Sequence, residues 1–350
     1  MSKKIMLSQG AGGKQMDDFI QKKITKFFKN KNNAEIPLSM MDDAAVIDDV
    51  VFTTDSHTIR PLIFPGGNLG SLSVCGTVND IAVMGAKPLA LSAGFIIEEG
   101  LAYNIFEKIV KSMGEYAEKS GVDIVTGDTK VVEKKAIQEF MINTSGIGKR
   151  TELLEENLRK LNQKRYTNYR WLTDSNLKKG DKIIISGNIG EHGIALMSFR
   201  EGYGFETKVK SDVAPINSLV ESALKVGGVV SAKDPTRGGL ANTLNELSEK
   251  SKIGIKVFED KIPMSKGVKS ACDILGLDPL SIGNEGKVVL GVSPEKADEV
   301  LESIKNKRYG KKASIIGEVS DEIDGVILET SIGGKRNLDK PLGDPVPRIC

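Results

Sequence analysis

The 350-residue sequence is long enough for two domains of ordinary size, and hydrophobic residues make up 39% of it, which is sufficient for packed cores. Its 49 basic and 47 acidic residues leave a formal charge of +2, and there is no long basic block interleaved with aromatic residues, so we expect no nucleic-acid partner. The apolar patch in the first residues is too short for a signal peptide, and no stretch approaches the roughly 18 apolar residues of a membrane span. We therefore expect a cytoplasmic protein without a membrane segment.

The three cysteines, Cys75, Cys272 and Cys350, are widely spaced and form no CxxC pair. Their odd number and their spacing support neither a disulfide framework nor a zinc cluster, which fits a reducing compartment. Cys75 and Cys272 lie in apolar, helix-like sequence and are expected to be inert core thiols.

Cys350 ends a stretch, residues 331–350, that is rich in Gly, Lys, Asn and Pro and shows no apolar periodicity. Proline disfavours both helix and central strand, so we predict a mobile arm that carries the thiol. The guanidinium of Arg348, two residues before it, favours the thiolate. A frayed end with an incidental cysteine is the competing interpretation.

Residues 8–13, Ser-Gln-Gly-Ala-Gly-Gly, form a glycine-rich loop that is followed by apolar residues at helical spacing. The backbone N–H groups of such a loop can wrap a phosphate. The loop does not match the P-loop pattern of GxxxxGK followed by Ser or Thr, so by itself it is equally compatible with an ordinary flexible lead-in.

The rest of the chain alternates predicted strands and helices, which indicates two α/β domains. The first, residues 1–148, has predicted strands at 50–54, 89–97, 123–126 and 140–147 and a helix at 101–119. A basic, polar stretch at 149–175, with a short helical excursion, is predicted to be an exposed linker or insertion. The second domain, residues 176–330, has predicted strands at 181–187, 253–258, 287–292 and 326–328 and helices at 213–226 and 240–250; the arm at 331–350 follows.

Acidic residues stand at strand ends or within apolar sequence at four places in the first domain. These are the adjacent pair Asp42 and Asp43, then Asp55, Asp80 and Asp128. A single aspartate after a strand is usually a turn or cap residue. Asp80 differs because apolar helical sequence surrounds it, and a buried, ionised carboxylate needs a partner. Several carboxylates suit Mg²⁺, which takes oxygen ligands and often bridges to phosphates.

Three further features complete the candidate chemistry. Lys130 follows Asp128 closely enough to act as a phosphate clamp or to move a proton. Residues 233–240, Lys-Asp-Pro-Thr-Arg-Gly-Gly-Leu, open a predicted helix with two glycines, so backbone N–H groups can meet an anion there. Glu285 lies in a turn immediately before a strand.

Several stretches taken together resemble one family, the HypE carbamoyl dehydratases of nickel-iron hydrogenase maturation. The resemblance covers nearly the whole chain apart from roughly residues 150–175. The matching stretches are residues 10–13, 42–45, 53–57, 64–67, 77–86, 127–132, 234–239 and 347–350. The acidic and glycine motifs alone indicate the wider superfamily of aminoimidazole ribonucleotide synthetase, thiamine-phosphate kinase and selenophosphate synthetase, and the Pro-Arg-Ile-Cys ending singles out HypE.

The resemblance implies an ATP- and Mg²⁺-dependent enzyme with a two-domain aminoimidazole ribonucleotide synthetase-like fold, in which the first domain contributes half of an ATP site at a homodimer interface. It implies that HypF carbamoylates Cys350, that the S-carbamoyl group is dehydrated to a thiocyanate, and that the HypC–HypD complex accepts the cyano group. Lys130 and Glu285 match the family's proton-handling groups. The matching metal carboxylates are Asp43, Asp55, Asp80 and Asp128, and the other matching nucleotide-site positions are Gly12, Gly13, Asn79, Gly127, Thr129, Arg237 and Gly238.

The sequence departs from the family pattern at Gln9, where we expect His, and at Asn68, where we expect Asp, which puts nucleotide contacts from those two loops in doubt. Two other functions compete with this interpretation. One is an enzyme of the same superfamily that acts on a free small molecule, which would leave the cysteine-ended arm without a role. The other is a carrier of the modified thiol that has lost catalysis, against which the intact set of aspartates argues.

Overall fold

The computed structural model describes residues 4–28, 34–161, 165–167, 169–200, 208–346 and 349–350, and all structural statements here concern these residues. They form two α/β domains, each built on its own sheet. The predicted fold class is therefore confirmed.

The first domain has a five-stranded sheet in the order β1-β2-β7-β5-β6, in which β5 and β6 are parallel and the other neighbours antiparallel. Its elements overlap the predicted strands and helix. They are α1 (Gly13–Phe19), β1 (Ala45–Ile47), β2 (Val50–His57), β3 (Ile63–Phe64), β4 (Gly67–Asn68), α2 (Leu69–Val83), β5 (Lys87–Glu98), α3 (Tyr103–Ser120), β6 (Asp123–Val132) and β7 (Phe140–Lys149).

The central helix of the first domain is α2, which is apolar and buried nearly all round because it packs against the sheet, α3 and the second domain. Asn68 begins it as N-cap, and its side-chain oxygen accepts hydrogen bonds from the N–H groups of Gly70 and Ser71. The amphipathic α3 buries Ile109 and Met113 against this assembly. These contacts place α2 where the two domains meet.

Large apolar side chains of the first sheet remain in solvent. We call them the exposed sheet residues: Ile47, Val50, Phe52, Leu89, Ile96, Val125 and Ile147. Phe52 pairs across the sheet with Ile147, so these two lie side by side. An exposed apolar patch on a sheet is typical of a surface that another chain covers.

The second domain has a seven-stranded sheet in the order β14-β13-β10-β12-β8-β11-β9. Its central strands are buried on both faces, as their runs of Val and Ile predict. The elements are β8 (Lys182–Ile185), α5 (Glu191–Phe199), α6 (Asn217–Val226), β9 (Val229–Lys233), α7 (Gly239–Ser251), β10 (Gly254–Phe258), α8 (Lys266–Leu275), β11 (Val289–Val292), α9 (Ala297–Lys305), β12 (Ser314–Ser320), β13 (Val326–Glu329) and β14 (Lys335–Asn337), with α4 (Glu152–Arg159) preceding them in the chain.

The interpretation of residues 149–175 as an exposed linker is wrong for the described part of this stretch. The predicted helical excursion forms as α4, but its apolar residues and the aromatic residues that follow are buried in the main core. The buried side chains are Leu154, Leu158, Leu161, Tyr166, Trp171 and Leu172. The basic residues that suggested exposure instead form ion pairs at the edge of this core, such as Arg165 with Asp181 and Arg170 with Glu35.

The tail segment, residues 331–350, lies along the protein surface where it is described, with residues 331–337 exposed and several later residues buried. Residues 335–337 form the edge strand β14, which pairs with β13, and Leu338 is buried. Val346 and Ile349 are also buried, against the second domain. Its predicted mobility remains a prediction, since this packed position is one state of the segment. The predicted effect of Arg348 falls on a residue outside the described ones.

Among the described residues, no helix combines the length and the apolar character needed to cross a membrane.

Candidate active site

A cavity of about 490 Å³ lies where the two domains meet. The first domain lines it with α2, β2 and the loop before β1, and the second domain with the loop before α7 and the turn before β11. The polar residues that line it are Asp42, Asp43, Thr53, Thr54, Asp55, Ser56, His57, Asp80, Asp234, Thr236, Arg237, Glu285 and Cys350.

Close packing of α2 on β2 brings the carboxylates of Asp55 and Asp80 into this cavity. Gly76 permits that approach, because a Cβ atom there would lie 2.9 Å from His57 Cε1 and 3.3 Å from Asp55 Oδ2. One helical turn further along, Asp80 Oδ2 accepts a hydrogen bond from the Thr53 hydroxyl at 2.8 Å. The predicted acidic residues of α2 and β2 therefore do lie together.

Crowding of buried carboxylates shapes the electrostatics of the cavity. Burial, followed by the charges of Asp55 and Asp234, raises the pKa of Asp80 well above its ordinary value. Burial and then Asp43 do the same to the pKa of Asp234. Burial also raises the pKa of Asp43 to about 6, although Lys233 opposes this rise. Binding of a positively charged group in this cavity is therefore favourable, because it stabilises the ionised carboxylates.

Two lysines already neutralise one side of the cluster. Lys233 Nζ lies 2.6 Å from Asp43 and 3.1 Å from Asp174, and Lys250 Nζ lies 2.6 Å from Asp174. Although burial opposes its charge, Asp174 and then Asp43 raise the pKa of Lys233 well above its ordinary value. Asp174 belongs to the stretch that the sequence placed outside the core.

The donor set fits Mg²⁺. The cluster offers only oxygen donors, and one carboxylate oxygen beside it, Asp42 Oδ2, is buried without a hydrogen-bond partner among the described residues. Within the described residues, no group of three or more His, Cys, Asp or Glu side chains is close enough together to hold a metal ion without other ligands. Mg²⁺ usually binds through one or two carboxylates and completes its shell with water and substrate phosphates, so it suits this arrangement.

Glu285 and Cys350 reach the same cavity from the second domain. Glu285 is buried, and its Oε1 lacks a hydrogen-bond partner among the described residues. Burial, then Asp234 and Asp212, raise its pKa well above the ordinary glutamate value. Burial raises the pKa of the Cys350 thiol to about 12, with Arg237 opposing the rise. As placed, Cys350 is a neutral thiol in a carboxylate-rich cavity.

The two loops predicted to hold phosphate contact the tail segment in this structure. Gly12 lies against Arg237 and Gly13 against Pro341. The Gly238 N–H, at the start of α7, donates to Asp344 Oδ2 at 3.0 Å. Backbone donors at a helix N-terminus are suited to any anionic oxygen, so a tail carboxylate occupies the position that the sequence assigned to phosphate.

The predicted residues of β6 are not part of this cluster. Gly127, Asp128, Thr129 and Lys130 lie on the exposed edge strand of the first sheet, where Lys130 Nζ forms an ion pair of 2.7 Å with Asp128. Asp128 raises the pKa of Lys130, which disfavours the neutral amine. Within one chain, neither residue reaches Cys350.

Three other predicted or questioned positions have structural roles here. Asn79 is buried and joins the two domains, since its side chain donates to Ala214 O and accepts from the Ile216 N–H. Gln9 Oε1 accepts from the Met6 N–H. Asn68, the second departure from the family pattern, is the N-cap of α2. The altered residues at 9 and 68 therefore serve the local fold.

The sequence missed two residues that line the cavity, Asp234 and His57, and also Lys233, whose ammonium group pairs with Asp43 beside it. Asp234 and Lys233 stand in the stretch singled out for anion binding, and an adjacent Lys-Asp pair before Pro signals a charged cluster as readily as a turn. His57 is buried with its Nδ1 unpartnered among the described residues, and burial lowers its pKa. Only the packing of β2 against α2 identifies it.

Comparison with known proteins supports the same assignment for both domains. Residues 41–149 match the family described as AIR synthase related protein, N-terminal domain, and residues 178–328 match the corresponding C-terminal domain. A putative hydrogenase expression/formation protein from Methanocaldococcus jannaschii is 50% identical over 353 residues, which cover 99% of this chain and 100% of that protein. The carbamoyl dehydratase HypE of Bradyrhizobium diazoefficiens is 42% identical over 351 residues, covering 98% of this chain and 95% of that protein.

Solved structures agree with these relatives. A chain in the crystal structure of a HypE–HypF complex matches with a TM-score of 0.83 and 45% identity, covering 92% of this chain and 99% of that chain. The crystal structure of HypE in complex with ATP matches with a TM-score of 0.78 and 38% identity, covering 99% and 100% of the two chains. This chain belongs to the HypE family of hydrogenase maturation proteins, and its two domains have the AIR synthase related fold.

Proposed function

We propose that this protein dehydrates an S-carbamoyl group on its own Cys350 to a thiocyanate, using ATP, and so supplies the cyanide ligand for nickel-iron hydrogenase assembly. The observation that carries the proposal is the position of Cys350 in one cavity with Asp43, Asp55, Asp80 and Glu285. A free small-molecule substrate would not require a thiol in that place.

The reaction that fits the cavity is activation of an amide oxygen by phosphorylation. The carbamoyl oxygen bonds to the γ-phosphorus of ATP as the bond from that phosphorus to the ADP oxygen breaks. The C–O bond then breaks, its electron pair leaves with phosphate, and loss of both N–H protons gives S–C≡N. Phosphoryl transfer depends mainly on positioning and charge neutralisation, and the cavity has groups for both.

Asp43, Asp55 and Asp80 are the residues of this chain that would hold Mg²⁺, with Asp128 joining them only from a second copy of the chain. The ion would supply neutralisation of phosphate charge. Arg237 projects into the same cavity and provides a fixed positive charge of the protein itself beside Cys350. Its guanidinium also donates to Gly10 O at 3.2 Å, which ties the glycine loop to the second domain.

Glu285 is the better placed of the two candidate bases. It is buried in the cavity with an unpartnered oxygen, and its raised pKa makes the ionised carboxylate a stronger base than an ordinary glutamate. Lys130 lies on exposed β6, and Asp128 stabilises its charged form. We assign proton removal to Glu285, and a charge-stabilising role to a Lys130 contributed by the other chain of a homodimer.

The exposed sheet residues support that homodimer, since they form an apolar surface beside Lys130 and Asp128. The proposed partners are HypF as carbamoyl donor, supported by the solved HypE–HypF complex, and the HypC–HypD complex as acceptor of the cyano group. An ATP-bound relative of this fold supports ATP as the nucleotide.

The deciding experiment is the intact mass of the protein after incubation with HypF, carbamoyl phosphate and ATP, followed by peptide mapping. We expect the gain of one carbamoyl group and then the loss of one water, both on the peptide that contains Cys350. Cys350→Ala should abolish both changes, while Cys272→Ala, which removes a thiol outside the cavity, should retain them. A nitrile formed on Cys350→Ala, or an unmodified wild-type peptide, would contradict the proposal.

A further inference from the structure

His192 holds the backbone immediately before Cys350. This residue, on α5, is fully buried, and its Nε2 lies 2.8 Å from Ile349 O. A carbonyl oxygen only accepts, so Nε2 carries the proton and donates. Nδ1 must then accept from the Ser211 hydroxyl, which lies 2.7 Å away. The ring also meets Phe64 edge-on at 5.4 Å, so a single orientation and tautomer are fixed.

Two aliphatic side chains of the tail segment are buried beside this hydrogen bond. Val346 is 0% and Ile349 1% exposed. They lie over a surface without side chains, because a Cβ atom on Gly193 would be 3.3 Å from Val346 Cγ2 and one on Gly283 would be 2.7 Å from Ile349 Cδ1. The glycines therefore shape a shallow apolar depression for these two residues.

A third contact fixes the other end of the same stretch. Asp344 accepts from the Gly238 N–H at 3.0 Å through one oxygen and from the Val346 N–H at 2.7 Å through the other. Its own N–H donates to Ala11 O at 2.6 Å. Backbone and side chain of the tail segment are thus both recognised, as in peptide-binding sites.

We propose that these groups form a recognition site for the tail segment, and that His192 is the positioning residue that sets where the Cys350 thiol lies in the cavity. We call His192, Gly193, Gly238 and Gly283 the tail seat. Its ligand is a peptide of defined chemistry: a carboxylate, two aliphatic side chains and the carbonyl that precedes the reactive cysteine. His192, Gly193 and Gly283 lie apart from the carboxylates that would hold metal in the proposed function, whereas the Gly238 N–H is also the donor that the sequence assigned to phosphate.

Substitutions at His192 can distinguish the contribution of its hydrogen bond to Ile349 O from the contribution of the packed imidazole ring. A glutamine amide nitrogen can reach the position of Nε2, whereas an asparagine amide nitrogen reaches only that of Nδ1. The full-length protein, without HypF or ATP, is treated with iodoacetamide, and the alkylation rate of each cysteine is followed by peptide mass spectrometry. We expect His192→Asn and His192→Ala to speed Cys350 alkylation about tenfold, the effect of losing one buried hydrogen bond, and His192→Gln to remain near wild type.

The other thiols report on the fold in the same samples. Cys75 and Cys272 are buried and should stay unlabelled in every variant. If a His192 variant exposes them, Ile349→Ala decides instead, since it removes a tail side chain and leaves the seat intact; we expect it to speed Cys350 alkylation selectively. Unchanged Cys350 alkylation in His192→Asn with an intact fold, or in Ile349→Ala, would overturn the proposal.

The consequence for catalysis rests on the proposed function. In single-turnover dehydration, His192→Asn should lower the rate about tenfold and His192→Gln should restore it, while the ATP concentration for half-maximal rate stays unchanged. A merely structural role would shift both quantities. The alkylation result does not depend on this reaction, so failure of the proposed function and failure of the tail seat are distinguishable.

Discussion

The cavity and strand β6 carry similar sequence signals but have opposite surroundings. Asp55 and Asp80 are brought together by α2 and β2 against the second domain. Asp128 and Lys130 also stand in a strand of the first sheet, yet this strand is an exposed edge. The cavity is completed within the chain, whereas β6 presents its candidate site residues and its apolar side chains on one exposed strand.

This difference teaches that the candidate site has two kinds of parts. Those around Cys350 are preorganised by the packing of one chain, with carboxylates whose pKa values are raised by burial. Those on β6 become site residues only if a second copy covers the exposed sheet residues. The predictions below test this division, beginning with the largest expected effect.

Glu285→Gln should lower nitrile formation at least about 100-fold, the usual contribution of a positioned base, without reducing carbamoylation of Cys350. Its melting temperature should not fall, because burial and then Asp234 and Asp212 disfavour the charged form of Glu285, which glutamine cannot adopt. Mass spectrometry of quenched time points measures the rate. Glu322→Gln, an exposed glutamate remote from the cavity, is the matched control, and equal rates in the two variants would remove Glu285 from the mechanism.

Phe52→Asp should weaken self-association at least about tenfold, since it places a charge where an apolar side chain would be buried. Phe52 is 50% exposed in the single chain, so the free energy of unfolding of the monomer should fall by no more than about 1 kcal/mol. Sedimentation velocity over a dilution series measures the first quantity. Ile332→Asp, at an apolar residue that is 93% exposed outside the first sheet, serves as control, and equal weakening by both would contradict the interface.

The pH dependence of dehydration should distinguish the two candidate bases. A base acts in its ionised or neutral-amine form, so the rate rises about tenfold per pH unit below its pKa and levels off above it. The raised pKa of Glu285 shifts this rise to pH values above the ordinary glutamate pKa of 4.5. The pKa of Lys130 is raised from 10.5, so a rate that still climbs at pH 10 would indicate Lys130 instead.

Mixing two inactive variants should restore part of the activity if Lys130 acts across the dimer. After exchange of equal amounts of Lys130→Ala and Glu285→Gln, half of the dimers are mixed, and each mixed dimer has one intact site. We therefore expect about one quarter of the wild-type dehydration rate on statistical grounds. Each variant mixed with itself is the control. A mixture that stays at the level of its parents would place Lys130 in its own chain's site or outside catalysis.

The fold class was predictable because the spacing of apolar residues and the local composition indicate each helix or strand within a short window of sequence. In β2 exposed and buried residues alternate, and in α3 the buried Ile109 and Met113 are four residues apart. These spacings predict a strand and a helix without reference to the rest of the chain. The stretch at 149–175 misled because its charged residues outnumber the few apolar ones. Burial of Leu154 and Trp171 depends on the second domain and on ion pairs with distant partners such as Glu35, which no local pattern reports.

The candidate site was predictable where a buried charge stands in apolar sequence, as at Asp80, and where the family resemblance supplied the rest. Its geometry was not. The sequence could not separate Lys130 from Glu285, because exposure of an edge strand follows from sheet order rather than from residue type. Nor could it assign His192, an ordinary-looking helix residue whose partner, Ile349, lies more than 150 positions away in the chain.

Strand β14 anchors the tail segment near its start. Pairing of residues 335–337 with β13 and burial of Leu338 leave only the later residues free to move as a unit. From Leu338 to Cys350, a fully extended chain spans at most roughly 40 Å. A partner protein that delivers a group to Cys350 or removes one from it must therefore bring its own reactive centre within that distance of the edge of the second sheet. The length of this tether limits the docking geometries in which the group can be transferred.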